Sequence, residues 1–197
     1  MAGRPAPPAP ASRLLPFHTP AAGFDEPFEM LDACHDRVRR TLSLLLRLGR
    51  HLAKQDSVDR QARDAAADVI RYFDVAAPLH HQDEERHLLP LLRSDPDPAG
   101  ARVAGRVERD HARLHAAWQP VREDLQRIQA GERPALDAFR QRWRRFSARY
   151  RAHIHLEDML AYPAVRPRMP AEALRMMGEE MARRRGVRTA PGPGSPG

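Results

Sequence analysis

Apolar residues recur every three or four positions along four long stretches of the chain. The first set is Phe28, Leu31, His35, Val38, Leu42, Leu45, Gly49 and Leu52, and the second is Ala66, Ile70, Phe73, Ala77, His80, Glu84, His87 and Leu91. The third is Ala104, Val107, His111, Leu114, Trp118, Val121, Leu125 and Ile128, and the fourth is Phe139, Trp143, Phe146, Tyr150, His153, Glu157 and Leu160. Steps of three and four keep each set on one face of an α-helix. The pattern predicts helices over about 25–54, 57–93, 99–130 and 134–162, with a short fifth helix over about 170–185. Asp25 is placed to cap the first, and Pro27 suits its opening turn, where a missing N–H costs nothing. Pro78, Pro90 and Pro120 fall inside the spans, and each is expected to kink its helix or end it early. No stretch carries a useful strand pattern. Four amphipathic helices with short connections predict an all-α, up-down-up-down four-helix bundle.

Outside these stretches the composition changes. Residues 1–23 and 186–197 are rich in Pro, Gly and Ala, cannot bury a core, and are expected to be disordered tails. Residues 24–185 are expected to form one domain: the bundle plus the short C-terminal helix. No apolar run approaches the roughly 20 residues that span a bilayer, and the N-terminus lacks the apolar segment of a secretory signal. Cys34 is the single cysteine, so no intrachain disulfide forms. These features predict a cytoplasmic protein. The formal charge of +7 rests almost wholly on arginine, which admits an acidic partner. In the most basic run, Arg140 to Arg151, however, Trp143, Phe146 and Tyr150 fall on the apolar face and read as core. The arginines are therefore read as solvated helix faces rather than a nucleic-acid surface.

The apolar faces are interrupted by groups that resist burial. His35, His80, Glu84, His111, His153 and Glu157 lie on them, and His115 lies one turn from His111 on a flank. His81, Glu85, His155 and Asp158 lie beside the seam. The unit H-x3-E-x5-P occurs twice, as His80–Glu84–Pro90 and His153–Glu157–Pro163, and a second acid, Glu85 or Asp158, follows each glutamate. Each unit is preceded by a seam histidine, 45 residues earlier for His35 and 42 for His111, the spacing of a duplicated helical hairpin. At about 1.5 Å of rise per residue, antiparallel neighbours bring the four seam histidines to within about one turn of a common level. An unpaired buried carboxylate costs several kcal/mol even after relaxation. Divalent metal compensates directly, because neutral imidazole donates a lone pair and carboxylate supplies charge and can bridge two ions. Ligation rich in imidazole fits Fe, and the chemistry alone leaves Zn, Cu and Mn open. Seven groups exceed what one octahedral ion takes; two ions bridged by Glu84 and Glu157 use them all.

At these residues the chain resembles the hemerythrin-like, or HHE cation-binding, family over about 25–163. The resemblance implies a four-helix bundle holding a non-haem di-iron centre, two Fe ions, with His35, His80, Glu84, His111, His153 and Glu157 as ligands. His115 fills the place of the second third-helix histidine of oxygen-carrying members. Asp158 has the spacing of their last-helix aspartate, although the repeat and the seam favour Glu157. The resemblance implies a small diatomic ligand, O2 or NO, bound reversibly or sensed, and any sensor output would pass through a separate protein partner. Two other readings stand beside it. One is a di-iron enzyme: peroxidase-like, oxidase-like, or resembling the nitric-oxide and iron–sulfur repair proteins. The other is a basic interaction module with a structural metal. Cys34, beside His35, reads as a small apolar filler, and Tyr150 as core with its hydroxyl satisfied.

Overall fold

The computed structural model describes residues 23–187, and the two expected tails fall outside these apart from Gly23, Gly186 and Val187. The described residues are helical, with no strand among them. We number five helices. Helix α1 is Pro27–Leu52. Helix α2 begins at Arg60–Arg71, opens into a π turn at Tyr72–Ala76, and continues as Ala77–His87 and Leu89–Arg93. Helix α3 is Pro98–Gln129. Helix α4 is Leu136–Leu156, followed by a π turn at Glu157–Ala161 and a last turn at Tyr162–Val165. Helix α5 is Ala171–Arg184.

The starts follow local chemistry. Pro27 opens α1, but Glu26 rather than Asp25 precedes it, and no side chain caps that end. Asp59 caps α2 by accepting from the Ala62 N–H at 2.8 Å, and Asp97 caps α3 through the Ala99 N–H at 2.8 Å. The three prolines behave differently. Pro78 has no N–H, and its ring would press on the Asp74 carbonyl; the backbone widens there, so that the Ala77 N–H reaches Tyr72 O. Pro90 coincides with an interruption at Leu88, φ −100°. Pro120 leaves α3 unbroken, so it does not end its helix early. A π turn accompanies Pro163 as well, where the Tyr162 N–H reaches Glu157 O.

Helices α1 and α3 each pack against both α2 and α4, so the four close a ring around the core. Contacts advance along one member of each pair as they recede along the other. Between α2 and α3, Glu85 meets His111 and Asp74 meets Trp118. Between α3 and α4, Asp124 meets Trp143 and His111 meets His153. The core is two apolar clusters. One runs from Val38 to Leu52 and includes Phe73, Trp118, Trp143 and Phe146. The other holds Phe28, Leu31, Leu88, Leu92, Val107, Tyr162 and Val165, and α5 adds Met177 and Met181 to it. A belt of buried polar groups lies where the two clusters meet.

The apolar faces of α1 and α3 are buried at every position the sequence pattern assigned. Those of α2 and α4 need correction. Val69, Leu88 and Leu92 are buried in α2, whereas Ile70, His87 and Leu91 are only partly so. In α4, Leu160 is 51% exposed and Ala161 takes its inward place at 2%. In α4 the π turn adds one residue to the helical turn and so shifts the inward face by one position.

Candidate metal centre

His35, His80, Glu84, His111, His153 and Glu157 all lie in the buried belt, each at 4% exposure or less. Two tetrads form. His35, His80, Glu84 and Glu157 make one, His111, His153, Glu84 and Glu157 make the other, and the ligand atoms of each lie within 4.8 Å of one another. The glutamates belong to both because each divides its oxygens between them. Glu84 Oε1 is 3.6 Å from His80 Nε2, and Oε2 is 3.3 Å from His111 Nε2. Glu157 Oε2 is 3.2 Å from His35 Nε2, while Oε1 is 3.1 Å from His153 Nε2 and 3.5 Å from His111 Nε2.

The second acids of the repeated unit have a different task. Glu85 Oε1 accepts from His111 Nδ1 at 2.8 Å, and Asp158 Oδ1 accepts from His35 Nδ1 at 2.7 Å. Each bond fixes its imidazole with Nε2 turned inward. The pairing crosses over: the first hairpin's Glu85 holds the second hairpin's histidine, and the second hairpin's Asp158 holds the first's. Asp158 also pairs with Arg39. It therefore sits outside the inward set, and Glu157 is the inward carboxylate of the two.

His115 does not join the cluster. It is exposed, because Leu114 and Trp118 take the inward positions of that stretch of α3. His81 is the imidazole that does join. It stacks on His111 with ring centroids 3.9 Å apart, and a nitrogen of it lies within 4.8 Å of ligand nitrogens of His111 and His153. Tyr150 Oη is 3.1 Å from His81 Nε2, so this tyrosine's hydroxyl is satisfied. The available signal for His81 was its place one residue after His80, on the side of α2 that faces α3. His155 is exposed.

The cluster's charge state follows from its burial. Burial opposes ionisation of Glu84, but His80, His111 and His35 outweigh it and hold the carboxyl well below the usual range. Burial alone would lower both His35 and His111. The hydrogen bond to Asp158 and the nearby Glu157 carboxylate lift His35 to about 10 instead, and the nearby Glu157 and Glu84 carboxylates with the bond to Glu85 lift His111 to about 11. His80 and His153 are pushed down by burial. Protonated imidazoles thus balance buried carboxylate, which is the electrostatic work a divalent cation performs. The balance is geometrically incomplete: Glu84 Oε2, both Glu157 oxygens, and Nε2 of His111 and His153 are buried without an aligned hydrogen-bond partner. Inward N and O atoms of this kind, in two tetrads with shared carboxylates, fit metal binding that displaces the inward protons of the imidazoles.

A cavity of about 460 Å³ between α2 and α3 leads to one side of the belt. His81 and His111 lie at its inner end, Phe73, Leu114, Trp118 and Tyr150 line it, and the exposed Glu108 and His115 stand at its mouth. Helix α5 braces the belt elsewhere. Asp83, fully buried beside Glu84, pairs with Arg184 and with Arg185, the latter at 2.6 Å. Cys34 is partly buried and its thiol is pushed up to about 11 by that burial.

Residues 26–165 match the hemerythrin HHE cation binding domain. The chain is also similar to an uncharacterized protein of Haemophilus influenzae, 33% identical over 167 residues that cover 85% of this chain and 94% of the relative.

Proposed function

We propose a function for a chain that belongs to the hemerythrin HHE cation-binding domain family: it holds two iron ions in an up-down-up-down four-helix bundle and binds a small diatomic ligand, O2 or NO, as a reversible carrier or a sensor. The observation that carries the reading is the division of the Glu84 and Glu157 oxygens between two histidine-bearing halves. The closed ring of helices with opposed contacts supports the bundle topology. A ferrous pair supplies the electrons and open coordination that O2 or NO requires.

The chain's own residues do the rest. Glu84 and Glu157 bridge the halves; His35 and His80 serve one half, and His111 and His153 the other. His81 gives the second half a further imidazole, the part first assigned to His115. Glu85 and Asp158 keep two imidazoles in the tautomer that presents Nε2. Phe73, Trp118 and Phe146 give one side of the belt an apolar surface, which excludes water and slows loss of charged products. The cavity beside His111 supplies a route in. No helix among the described residues is long and apolar enough to cross a membrane.

The test is anaerobic loading with Fe(II), metal quantification, and optical spectra before air, after air and after O2 is removed again. Close to two Fe per chain and a spectrum that reverses support the reading; one ion, or irreversible oxidation to an inert form, refutes it. The second reading, a di-iron enzyme acting on peroxide or a small organic molecule, draws on the cavity's size, which exceeds what a diatomic gas needs and lies in the range of ligand pockets. Steady turnover with peroxide would favour it.

A further inference from the structure

The repeated hairpins are equivalent at the ligands but not around them. Aligning His80 with His153 pairs Phe73 with Phe146, Ala77 with Tyr150, His81 with Ile154 and Leu89 with Tyr162. Of these, Leu89/Tyr162 is the exchange nearest the His35 half. The Tyr162 hydroxyl donates to Glu84 Oε1 at 2.7 Å and sits 3.1 Å from His35 Nε2. The ring lies flat on the His35 imidazole, 10° from parallel with centroids 5.1 Å apart, and the residue is 4% exposed. Neither of the chain's other tyrosines reaches this half: Tyr72 donates to the Cys34 carbonyl at 3.1 Å, and Tyr150 sits at His81.

We propose that Tyr162 supplies its phenol oxygen as a metal ligand to the ion held by His35 and His80, so that the two ions are chemically inequivalent, one with a phenolate and one with the additional imidazole of His81. Neighbouring ligands of an octahedral ion with bonds of about 2.1 Å lie about 3 Å apart. The Tyr162 oxygen stands at that spacing from both Glu84 Oε1 and His35 Nε2, as Glu157 Oε2 does from His35 Nε2 at 3.2 Å. The oxygen would therefore be within reach of an ion held by three groups already assigned as ligands. When the oxygen–metal bond forms, the phenolic proton leaves to solvent, as protons do from other protonated ligands on metal uptake. A phenolate is a hard, anionic donor that favours ferric over ferrous iron. This half is also roofed by Tyr162 itself and braced by Asp158, whereas the cavity opens at His111. The consequence is a division of labour that rests on access: the Tyr162 half holds the ion away from the cavity, and exogenous ligands meet the other.

This inference rests on the di-iron reading, and its test separates the two. Wild type is loaded with Fe(II) without air, oxidised with ferricyanide, and assayed for iron content, visible absorption and resonance Raman scattering. The expected result is about two Fe per chain and a phenolate-to-ferric charge-transfer band, with tyrosine ring modes enhanced on excitation into it. Those modes shift when the protein is made with ring-deuterated tyrosine, a readout that needs no variant. Tyr162→Phe is expected to lose the band while keeping most of its iron, and Tyr72→Phe to retain it. Two irons without a phenolate band in wild type, or a band that survives in Tyr162→Phe, would overturn the assignment and leave the di-iron reading standing. Failure to take up iron at all would overturn both.

Discussion

Removing the carboxylates outside the ligand set gives a directional prediction, because they serve different halves. In Glu85→Ala, the His111 ring loses the acceptor 2.8 Å from its Nδ1 and becomes free to rotate or to hold its proton on Nε2. The ion served by His111 and His153 is expected to bind more weakly, and the ion served by His35 and His80 to be unaffected. A hydrogen bond to a charged group contributes about 1.5–3 kcal/mol, and losing the outer partner of a ligating histidine weakens metal about 10–100-fold, which is roughly 1.4–2.8 kcal/mol. The Glu85 side chain is 44% exposed, and water replaces part of the bond, so the lower end applies. Asp158 is 30% exposed and also holds Arg39, so Asp158→Ala falls at the upper end and affects the other ion. The assay is competition against a chelator of known affinity with Co(II) or Fe(II), resolving two binding steps. Glu84→Ala is the reference, because it removes a bridge and both steps should collapse. Equal weakening of both ions in Glu85→Ala, or less than threefold in either single variant, would refute the crossed assignment.

The remaining predictions concern the pocket, the scaffold and α5. His115→Ala is expected to keep both irons, and His81→Ala to weaken one; the reverse pattern in metal analysis would restore His115 as a ligand. Leu42→Ala, at a fully buried site, should cost about 2–5 kcal/mol in urea unfolding, and a loss under 1 would show that the core there relaxes. A Cβ on Gly178 would overlap the Phe24 carbonyl oxygen, so Gly178→Ala should detach α5 from the segment preceding α1, read as faster hydrogen exchange in α5. Glu180 is held down at about 2: burial raises it, but Arg184 and His87 outweigh that. Its folded value is depressed, so its contribution is complete above the ordinary value of 4.5 and is lost as pH falls towards 2. Proteolytic sensitivity of α5 should rise through that window in wild type and be flat in Glu180→Gln.

How much was legible in the sequence depended on whether a helix was regular. In α1 and α3 every seam position that the three-and-four spacing assigned is buried, although Leu48 joins the α1 core beside them, because nothing interrupts the helical period; even Pro120, expected to interrupt it, does not. In α4 the same reasoning lost register at the π turn Glu157–Ala161, and in α2 it missed at Ile70, ahead of the π turn Tyr72–Ala76, and at His87 and Leu91, either side of the Leu88 interruption. Each π turn precedes a proline, Pro78 or Pro163, yet Pro120 shows that a proline does not dictate one. Tertiary packing decides, and one sequence does not display it. The six inward groups were legible because burying them is costly without a shared purpose. His115, on a flank of the seam, entered because it stands four residues after His111, the place of the second third-helix histidine in the family it resembles, and a four-residue step also turns a side chain about 40° around the helix. That turn puts it at the mouth of the cavity. Tyr162 was missed because a tyrosine before a proline near a helix end reads as core, and its hydroxyl finds Glu84 only across the bundle.

The doubled acid of the repeated unit explains why two hairpins form one centre. If each hairpin oriented its own histidine, each half would be complete in itself, and the bundle would be two sites side by side. Instead Glu84 and Glu157 each reach both halves, and Glu85 and Asp158 each serve the opposite hairpin. Separating the hairpins would therefore leave each with an unheld imidazole and half of the shared carboxylate set, so metal bound there would stabilise the whole ring by binding only the closed form. Such a frame is nearly symmetric, and symmetric ions have no reason to divide roles. The exchanges that break the symmetry, Leu89/Tyr162 and His81/Ile154, touch the linkage little, because neither alters a bridge or an orienting carboxylate. They change only what surrounds each half: a phenol on His35, and an imidazole with an open cavity on His111. On the proposed di-iron reading, the frame would stay fixed while those flanking positions set which ion meets an incoming ligand.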